Sequence, residues 1–349
     1  MVKPIVLPVQ GTTLTPYETT IIRKTQPLGF LLFSRNMFAH DKAKKLISEL
    51  RALVDHCVLV MVDQEGGRVT RFKPPVWQKL PAARLYGTFY EHDPKLGEEF
   101  TMLGGQLLAH DMAELGYDVN TVPLLDIDFQ SPSDVIGDRA FSRHVDTIIG
   151  CAQAMIAGME KCNILPIIKH IPGHGRALVD SHEKLPIVTT SFVELQESDF
   201  VPFRHFRKCA MAMVAHVLYD QIDANHPATL SKTIIYDVIK KTIGFQNLLL
   251  SDDLAMSALH GSLTQRAFGA LDAGIDVLLL GTTAPGDAEV AALCAALPKA
   301  DDAVCQQWWA LGEMPRTPLT QEQWKQVHTR FSALWTQASH LQDMKTGTA

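Results

Sequence analysis

The residues best suited to chemistry crowd into one stretch of this chain. Lys169-His170-Ile171-Pro172-Gly173-His174-Gly175 is followed closely by Asp180-Ser181-His182. Three histidines, a lysine and an aspartate stand beside two glycines and a proline, a mixture that packing does not need and acid–base chemistry does. The apolar run Ile164 to Ile168 reads as a buried strand, so Lys169 onward is expected to leave the sheet as a loop. Asp180 lies two residues from His182, near enough for its carboxylate to hold the imidazole in one tautomer and support its protonated form. An imidazole held this way can protonate a leaving oxygen and later deprotonate water. Gly173 and Gly175 are expected to let the loop move over a bound substrate.

A second centre of interest is Ser251-Asp252-Asp253-Leu254-Ala255-Met256. Asp252 follows Leu248-Leu249-Leu250 with only Ser251 between, which predicts a carboxylate fixed at a strand end and available as a nucleophile. Asp253 or Ser251 is the better candidate for capping the next segment. Other charged residues also follow apolar runs. They are Asp63-Gln64-Glu65-Gly66-Gly67-Arg68 with Arg71, then Asp126 and Asp128, then Gly137-Asp138-Arg139, and His216. Asp63 and Asp126 equally fit strand-end caps.

Eight short apolar runs would position these residues: Pro4–Val9, Leu28–Phe33, Cys57–Val62, Val119–Pro123, Ile164–Ile168, Ala210–Ala215, Leu248–Leu250 and Ile275–Leu280. Continuous runs of this kind fit a parallel sheet buried on both faces. Helical patterns lie between most of them, as in Ala43 to Val54, Phe100 to Leu115 and Val145 to Glu160. Alternating strands and helices in this number predict an α/β fold closed as a (β/α)8 barrel, with an open doubly wound sheet as the alternative. A barrel gathers the polar residues at the C-terminal rim of its strands. No linker divides the chain, so residues 1–338 read as one catalytic domain. Within it, Ala284 to Ala338 reads as helical, with Trp308, Trp309, Trp324 and Trp335 packing against the barrel wall. Residues 339–349 read as a frayed tail.

Bulk properties narrow the field. The chain has 349 residues, of which 46% are hydrophobic and 20% charged, values typical of a globular protein. A net charge of -6 and no long basic run give no reason to expect nucleic acid. No apolar run is long enough to span a bilayer, and the proline-interrupted start shows no secretory signal. Cys57, Cys151, Cys162, Cys209, Cys294 and Cys305 are scattered without a C-x-x-C pair, which argues for reduced thiols, a cytoplasmic home and no thiolate zinc site.

Three motifs, in this order, carry a family resemblance. Asp63-Gln64-Glu65-Gly66-Gly67-Arg68-Val69, the Lys169 to Gly175 stretch with Asp180-Ser181-His182, and Ser251 to Met256 together resemble glycoside hydrolase family 3. Pro227-Ala228-Thr229-Leu230-Ser231 and Ala273-Gly274-Ile275-Asp276 resemble its bacterial β-N-acetylglucosaminidase branch, which serves peptidoglycan recycling. The likeness extends to about residue 281; Ala255 departs from the polar residue common there, and nothing after Ala284 matches a motif. The resemblance implies a retaining, two-step hydrolysis with no metal and no cofactor. In it Asp252 attacks the anomeric carbon and forms a glycosyl-enzyme, while His182, paired with Asp180, serves as acid and then base. Carried over by position, Asp63, Arg71, Arg139, Lys169 and His170 grip a non-reducing N-acetylglucosamine, and His174 supports the site. The implied substrate is a muropeptide carrying N-acetylglucosamine on anhydro-N-acetylmuramic acid, and a monomer is the expected state. Lys169 and the arginines would help keep Asp252 and Asp63 ionised. Two alternatives stay open. Phosphate could replace water as acceptor, because an imidazole does not repel it. A metal-dependent hydrolase could draw on His170, His174, His182 and Asp180, although their spacing is not that of H-E-x-x-H.

Overall fold

Short β-branched and Leu-rich runs build a parallel sheet that curls into a ring. The computed structural model describes residues 1–131, 134–282, 284 and 286–346. The strands are β1 (Lys3–Leu7), β2 (Pro27–Leu32), β3 (Leu59–Val62), β4 (Val119–Asn120), β5 (Leu165–Pro166 and Ile168–Ile171), β6 (Met211–Val214), β7 (Leu248–Asp253) and β8 (Val277–Leu279). Each pairs in parallel with its sequence neighbours, and β1 also pairs with β8. The first half of β5 pairs with β4 and the second half with β6. Ile167, between the halves, donates its N–H to the Asn120 carbonyl at 2.9 Å, so the circle is completed through β5. This is the (β/α)8 barrel, and the open sheet is excluded. A small parallel pair, Ile187–Val188 with Leu218–Tyr219, lies outside the ring.

Side chains alternate across each strand. Val6, Leu59, Met61, Met211, Met213, Leu248, Leu250, Val277 and Leu279 fill the interior. Ile5, Leu7, Val60, Val62, Ala212, Val214, Leu249 and Leu278 pack outward against the helices. The helices are α1 (Pro16–Thr25), α2 (His40–Arg51), α3 (Ala83–His92), α4 (Pro94–Leu115), α5 (Val145–Glu160), α6 (Phe192–Glu197), α7 (Phe200–His205), α8 (Leu263–Ala273), α9 (Ala288–Ala296), α10 (Asp302–Gly312) and α11 (Gln321–Thr346), with a wide-turn helix at Ile234–Ile243. Their starts are written locally. Thr15 and Glu18 form a capping box before α1, and Ser262 and Gln265 form one before α8. The cap after β7 is therefore Ser262, neither Asp253 nor Ser251. Ser251 instead accepts the Leu279 N–H on the outer face, and Asp253 accepts from Ala255 and Thr282.

The segment from Ala284 onward is helical but interrupted. It breaks into α9, α10 and α11 in place of one helical stretch, and Pro315 and Pro318 fall in the break before α11. Trp308 of α10 does more than line a wall. Its indole is fully buried at the N-terminal end of the barrel, and its N–H donates to the Leu28 carbonyl at 2.7 Å. Burying an indole of about 200 Å² contributes roughly 5 kcal/mol and closes the end opposite the chemistry. In α11, Phe331 stacks on Phe100 of α4 at 4.9 Å. The helix runs on to Thr346, with Leu341 packed against the core. Residues 347–349 of the expected tail lie outside the described residues.

Candidate active site

The inward rows of the strands turn polar at their C-terminal ends. Leu59 and Met61 are followed by Asp63, Val119 by Thr121, Ile167 by Lys169, and Leu248 and Leu250 by Asp252, each two residues on. Period-two geometry thus lifts four polar groups from the top of an apolar core into one space. That space holds a cavity of about 280 Å³ lined by Asp63, Lys169 and Asp252 together with Glu65, Arg71, Arg139, His170, His174, Asp180 and His182, while Thr121 is buried behind it against Asp63 and Lys169. It gathers every residue singled out for the site from the sequence. Three residues differ from expectation in their local structure. Lys169 and His170 belong to β5 itself, and Asp252 lies within β7. Polar residues interrupt the hydrophobic pattern there, but the ladder continues, pairing Lys169 with Met213 and Asp253 with Leu279.

The floor of the cavity is a buried ionic network. Lys169 is 2% exposed, and its ammonium lies 2.6 Å from Glu65, 3.0 Å from the Thr121 hydroxyl and 3.4 Å from Asp63. Arg71 donates to Asp63 at 3.1 Å, and the Thr121 hydroxyl also donates to Asp63. Arg139 grips Glu65 with two parallel bonds of 2.8 Å. Burial alone would raise both carboxyl pKa values. The surrounding cations outweigh it, holding Asp63 well below the carboxylate range and Glu65 down at about 2. Beside this network Asp126, fully enclosed, accepts from His170 Nδ1 at 2.7 Å and from the His174 backbone N–H at 2.7 Å. Burial would raise its pKa too, but the His170 charge and hydrogen bond bring it below the ordinary value.

Asp252 stands at the edge of the floor. Its Oδ1 accepts the Asp253 N–H at 2.8 Å, which fixes the carboxylate against its own strand. Burial opposes ionisation, yet the positive fields of His216, His170 and Lys169 leave its pKa below the ordinary value. His216 sits behind it with Nδ1 at 2.7 Å from the Thr229 hydroxyl and Nε2 at 3.0 Å from the Asp253 carbonyl. A carbonyl can only accept, so Nε2 carries a proton. The imidazole thereby ties the strand end that bears Asp252 to the loop after β6.

Above the floor runs the loop after β5. His182 Nδ1 lies 2.8 Å from Asp180 Oδ1, and the same oxygen accepts the His182 backbone N–H at 2.9 Å. Burial favours the neutral acid at Asp180, but the His182 N–H and ring outweigh it and lower its pKa. The two glycines are both closely packed. Gly173, at φ 145°, has its carbonyl bonded by the Tyr219 hydroxyl. A Cβ at Gly175 would come within 1.9 Å of the Ile127 carbonyl. Both glycines let the backbone pack closely and pin the loop's first turn.

The arrangement offers an ionised carboxylate, a carboxylate-supported imidazole and a dense set of donors around one cavity, which is what cleavage of a glycosidic bond requires. The family model for the glycosyl hydrolase family 3 N terminal domain matches residues 10–301. The chain belongs to glycoside hydrolase family 3. A β-hexosaminidase of Nitrosomonas eutropha is 36% identical over 283 residues, covering 79% of this chain and 80% of that one. A β-hexosaminidase of Haemophilus ducreyi is 34% identical over 291 residues, covering 82% and 83%. The crystal structure of NagZ from Neisseria gonorrhoeae in complex with N-trifluoroacetyl-D-glucosamine superposes with a TM-score of 0.84 at 30% identity, over 97% of this chain and 98% of that one. This family 3 member is a glycoside hydrolase of the β-N-acetylhexosaminidase type.

Four residues of the family 3 site had no assigned role in the sequence. Glu65 was part of a motif but had no partner in view; Asp126 fitted a strand-end cap; His216 stood at the end of an apolar run without a role; Thr121 carried no local signal. One clue to Glu65 was available. Lys169, Arg71 and Arg139 place three cations in one site, and with Asp180 paired to His182 only Asp63 and Asp252 are left as anions to face them. A buried charge needs a partner, so a further carboxylate had to lie close by. Among the described residues no helix is long and apolar enough to cross a membrane.

Proposed function

We propose that this enzyme removes terminal, non-reducing N-acetylglucosamine by a retaining, two-step hydrolysis, with peptidoglycan fragments as its substrates in the cytoplasm. Asp252 attacks the anomeric carbon from the floor while His182, supported by Asp180, protonates the departing oxygen. A glycosyl-enzyme forms on Asp252. His182 then takes a proton from water, which attacks the same carbon and releases the sugar with its original configuration. Asp63, Arg71, Arg139, Lys169 and His170 hold the hydroxyls of the sugar ring, and an ionised Asp252 favours the oxocarbenium-like transition state before it bonds to it.

The observation that carries this reading is that Asp252, on the inward row of β7, and His182, on the loop after β5, line one cavity. That cavity is at the small end of ligand sites, which suits one sugar ring held at the end of a chain. Likeness to a NagZ whose structure contains N-trifluoroacetyl-D-glucosamine supports the choice of sugar, and the motif resemblance points to muropeptides carrying N-acetylglucosamine on anhydro-N-acetylmuramic acid as the source. Six free cysteines suit a reducing compartment. The test is covalent trapping. A mechanism-based fluorinated N-acetylglucosaminide should label Asp252 with one sugar, and the label should turn over on dilution. A label on another residue, or none, removes Asp252 as nucleophile. Assays with and without phosphate should give free N-acetylglucosamine in both; a sugar phosphate would make the enzyme a phosphorylase.

A further inference from the structure

The loop that carries Asp180 and His182 is exposed, with one exception. Of residues 178–184, all of them described, Ser181 alone is buried, at 2% exposure, between a half-buried aspartate and an exposed histidine. Serine has little apolar surface to gain from burial, so polar contacts must account for its place. There are two. Its hydroxyl lies 3.2 Å from Nε2 of His174, close enough to share a proton. Its carbonyl accepts the N–H of Ala258 at 3.1 Å. The residue between the two members of the dyad is therefore clamped from both sides, by the segment after β5 and by the segment after β7.

His174 is itself fixed from below. Its backbone N–H donates to Asp126 at 2.7 Å, and that carboxylate also holds His170. The two imidazoles lie 5.5 Å apart. Burial and the neighbouring His170 depress the His174 pKa to about 4, so it is neutral at physiological pH and has one N–H to place. Its Nδ1 is buried with no partner among the described residues, which leaves the Ser181 hydroxyl as the described side-chain partner of the ring.

We propose that His174 and Ser181 are positioning residues: their contact latches the exposed loop to the sugar-binding floor and so sets where His182 stands over the glycosidic oxygen. This rests on the reading of His182 as acid and base. It also gives that reading a physical route, because Asp126 ties His170, a sugar-gripping residue, to His174, and His174 ties the loop. Neither positioning residue need touch the reacting atoms.

The test is Ser181→Ala, compared with His182→Ala, in two measurements. The first is backbone amide exchange. In Ser181→Ala, amides of residues 176–184 should exchange about tenfold faster, the loss of one hydrogen bond worth on the order of 1 kcal/mol, while the barrel strands keep their protection. Unchanged exchange in the loop overturns the latch whatever the kinetics show. The second is kcat/KM on aryl N-acetylglucosaminides of rising leaving-group pKa. Ser181→Ala should lose about tenfold on the poorest leaving groups and little on activated ones, and product N-acetylglucosamine should bind as before. Equal losses on all substrates overturn the link to His182 when His182→Ala itself shows the leaving-group dependence. If His182→Ala shows none, the reading of His182 as acid fails, and amide exchange still decides whether the latch exists.

Discussion

Lys169 and His182 both line the cavity, yet their side chains are 2% and 62% exposed. The floor around Lys169 is made from strand ends and filled with charges that neutralise one another at 2.6 to 3.4 Å. The loop around His182 is held by a few contacts and is open to water on most of its surface. On the proposed mechanism, the contrast follows from what each part must do. Donors that recognise a sugar and a carboxylate that meets an oxocarbenium ion act best when their geometry is already fixed, with no reorganisation during reaction. A proton donor and acceptor must meet two different oxygens in turn, and a solvated imidazole supported by a carboxylate is suited to that. Substitutions in the floor should therefore cost both stability and turnover, whereas substitutions in the loop should cost turnover alone.

The largest effect is expected at Asp252. Asp252→Ala should lower turnover on the order of 10⁴-fold or more on every substrate, including those with activated leaving groups, because no leaving group replaces a nucleophile. Steady-state rates on an aryl series check this, and retained activity on any of them would break the assignment of Asp252 to the floor's chemistry.

Lys169 should show the double cost most plainly. Lys169→Met leaves Glu65 and Asp63 with less compensation in a buried site, and a loss of about 3–5 kcal/mol of stability is expected on breaking such a network. Urea denaturation measures it. A midpoint within error of the wild type would mean that the floor is solvated and not preorganised.

A smaller and pH-dependent effect belongs to Glu65. Its folded pKa, about 2, lies below its ordinary 4.5, so its contribution to stability is present above about pH 4.5 and is lost as pH falls toward 2. Glu65→Gln should therefore lose roughly 1–3 kcal/mol at neutral pH and show a shallower decline between pH 4.5 and 2. Denaturation midpoints measured across that range for both proteins make the comparison. Parallel curves would assign the acid-side loss to other carboxylates.

The sequence displayed the floor and the loop unequally. The β7 run Leu248-Leu249-Leu250 was legible because its apolar face is continuous, and it was enough to place Asp252. Where the strand went on was not legible, because Ser251-Asp252-Asp253 breaks the hydrophobic pattern while the backbone stays paired. The same polarity at the barrel mouth made Lys169 and His170 read as loop. Glu65 could not be matched to a partner, since Arg139 is 74 residues away and only the closed ring brings them together. In the loop, the Asp180–His182 pair was visible because its partners are local. Gly173 and Gly175 suggested movement, and their tight surroundings show close packing; Ser181 looked like a spacer until its burial was seen. Local chemistry is written in neighbouring residues, whereas charge compensation is written in the topology.

The most direct test of the division between a fixed carboxylate and a loop-borne acid is the dependence of kcat/KM on leaving-group pKa in the wild type and in His182→Ala. The wild type should give a shallow slope. In His182→Ala the loss should be slight for activated aryl N-acetylglucosaminides and about 10²-fold or more for poor ones, giving a steep slope, with an unchanged denaturation midpoint. Equal slopes in the two proteins would contradict the account, because His182 would then protonate nothing that leaves.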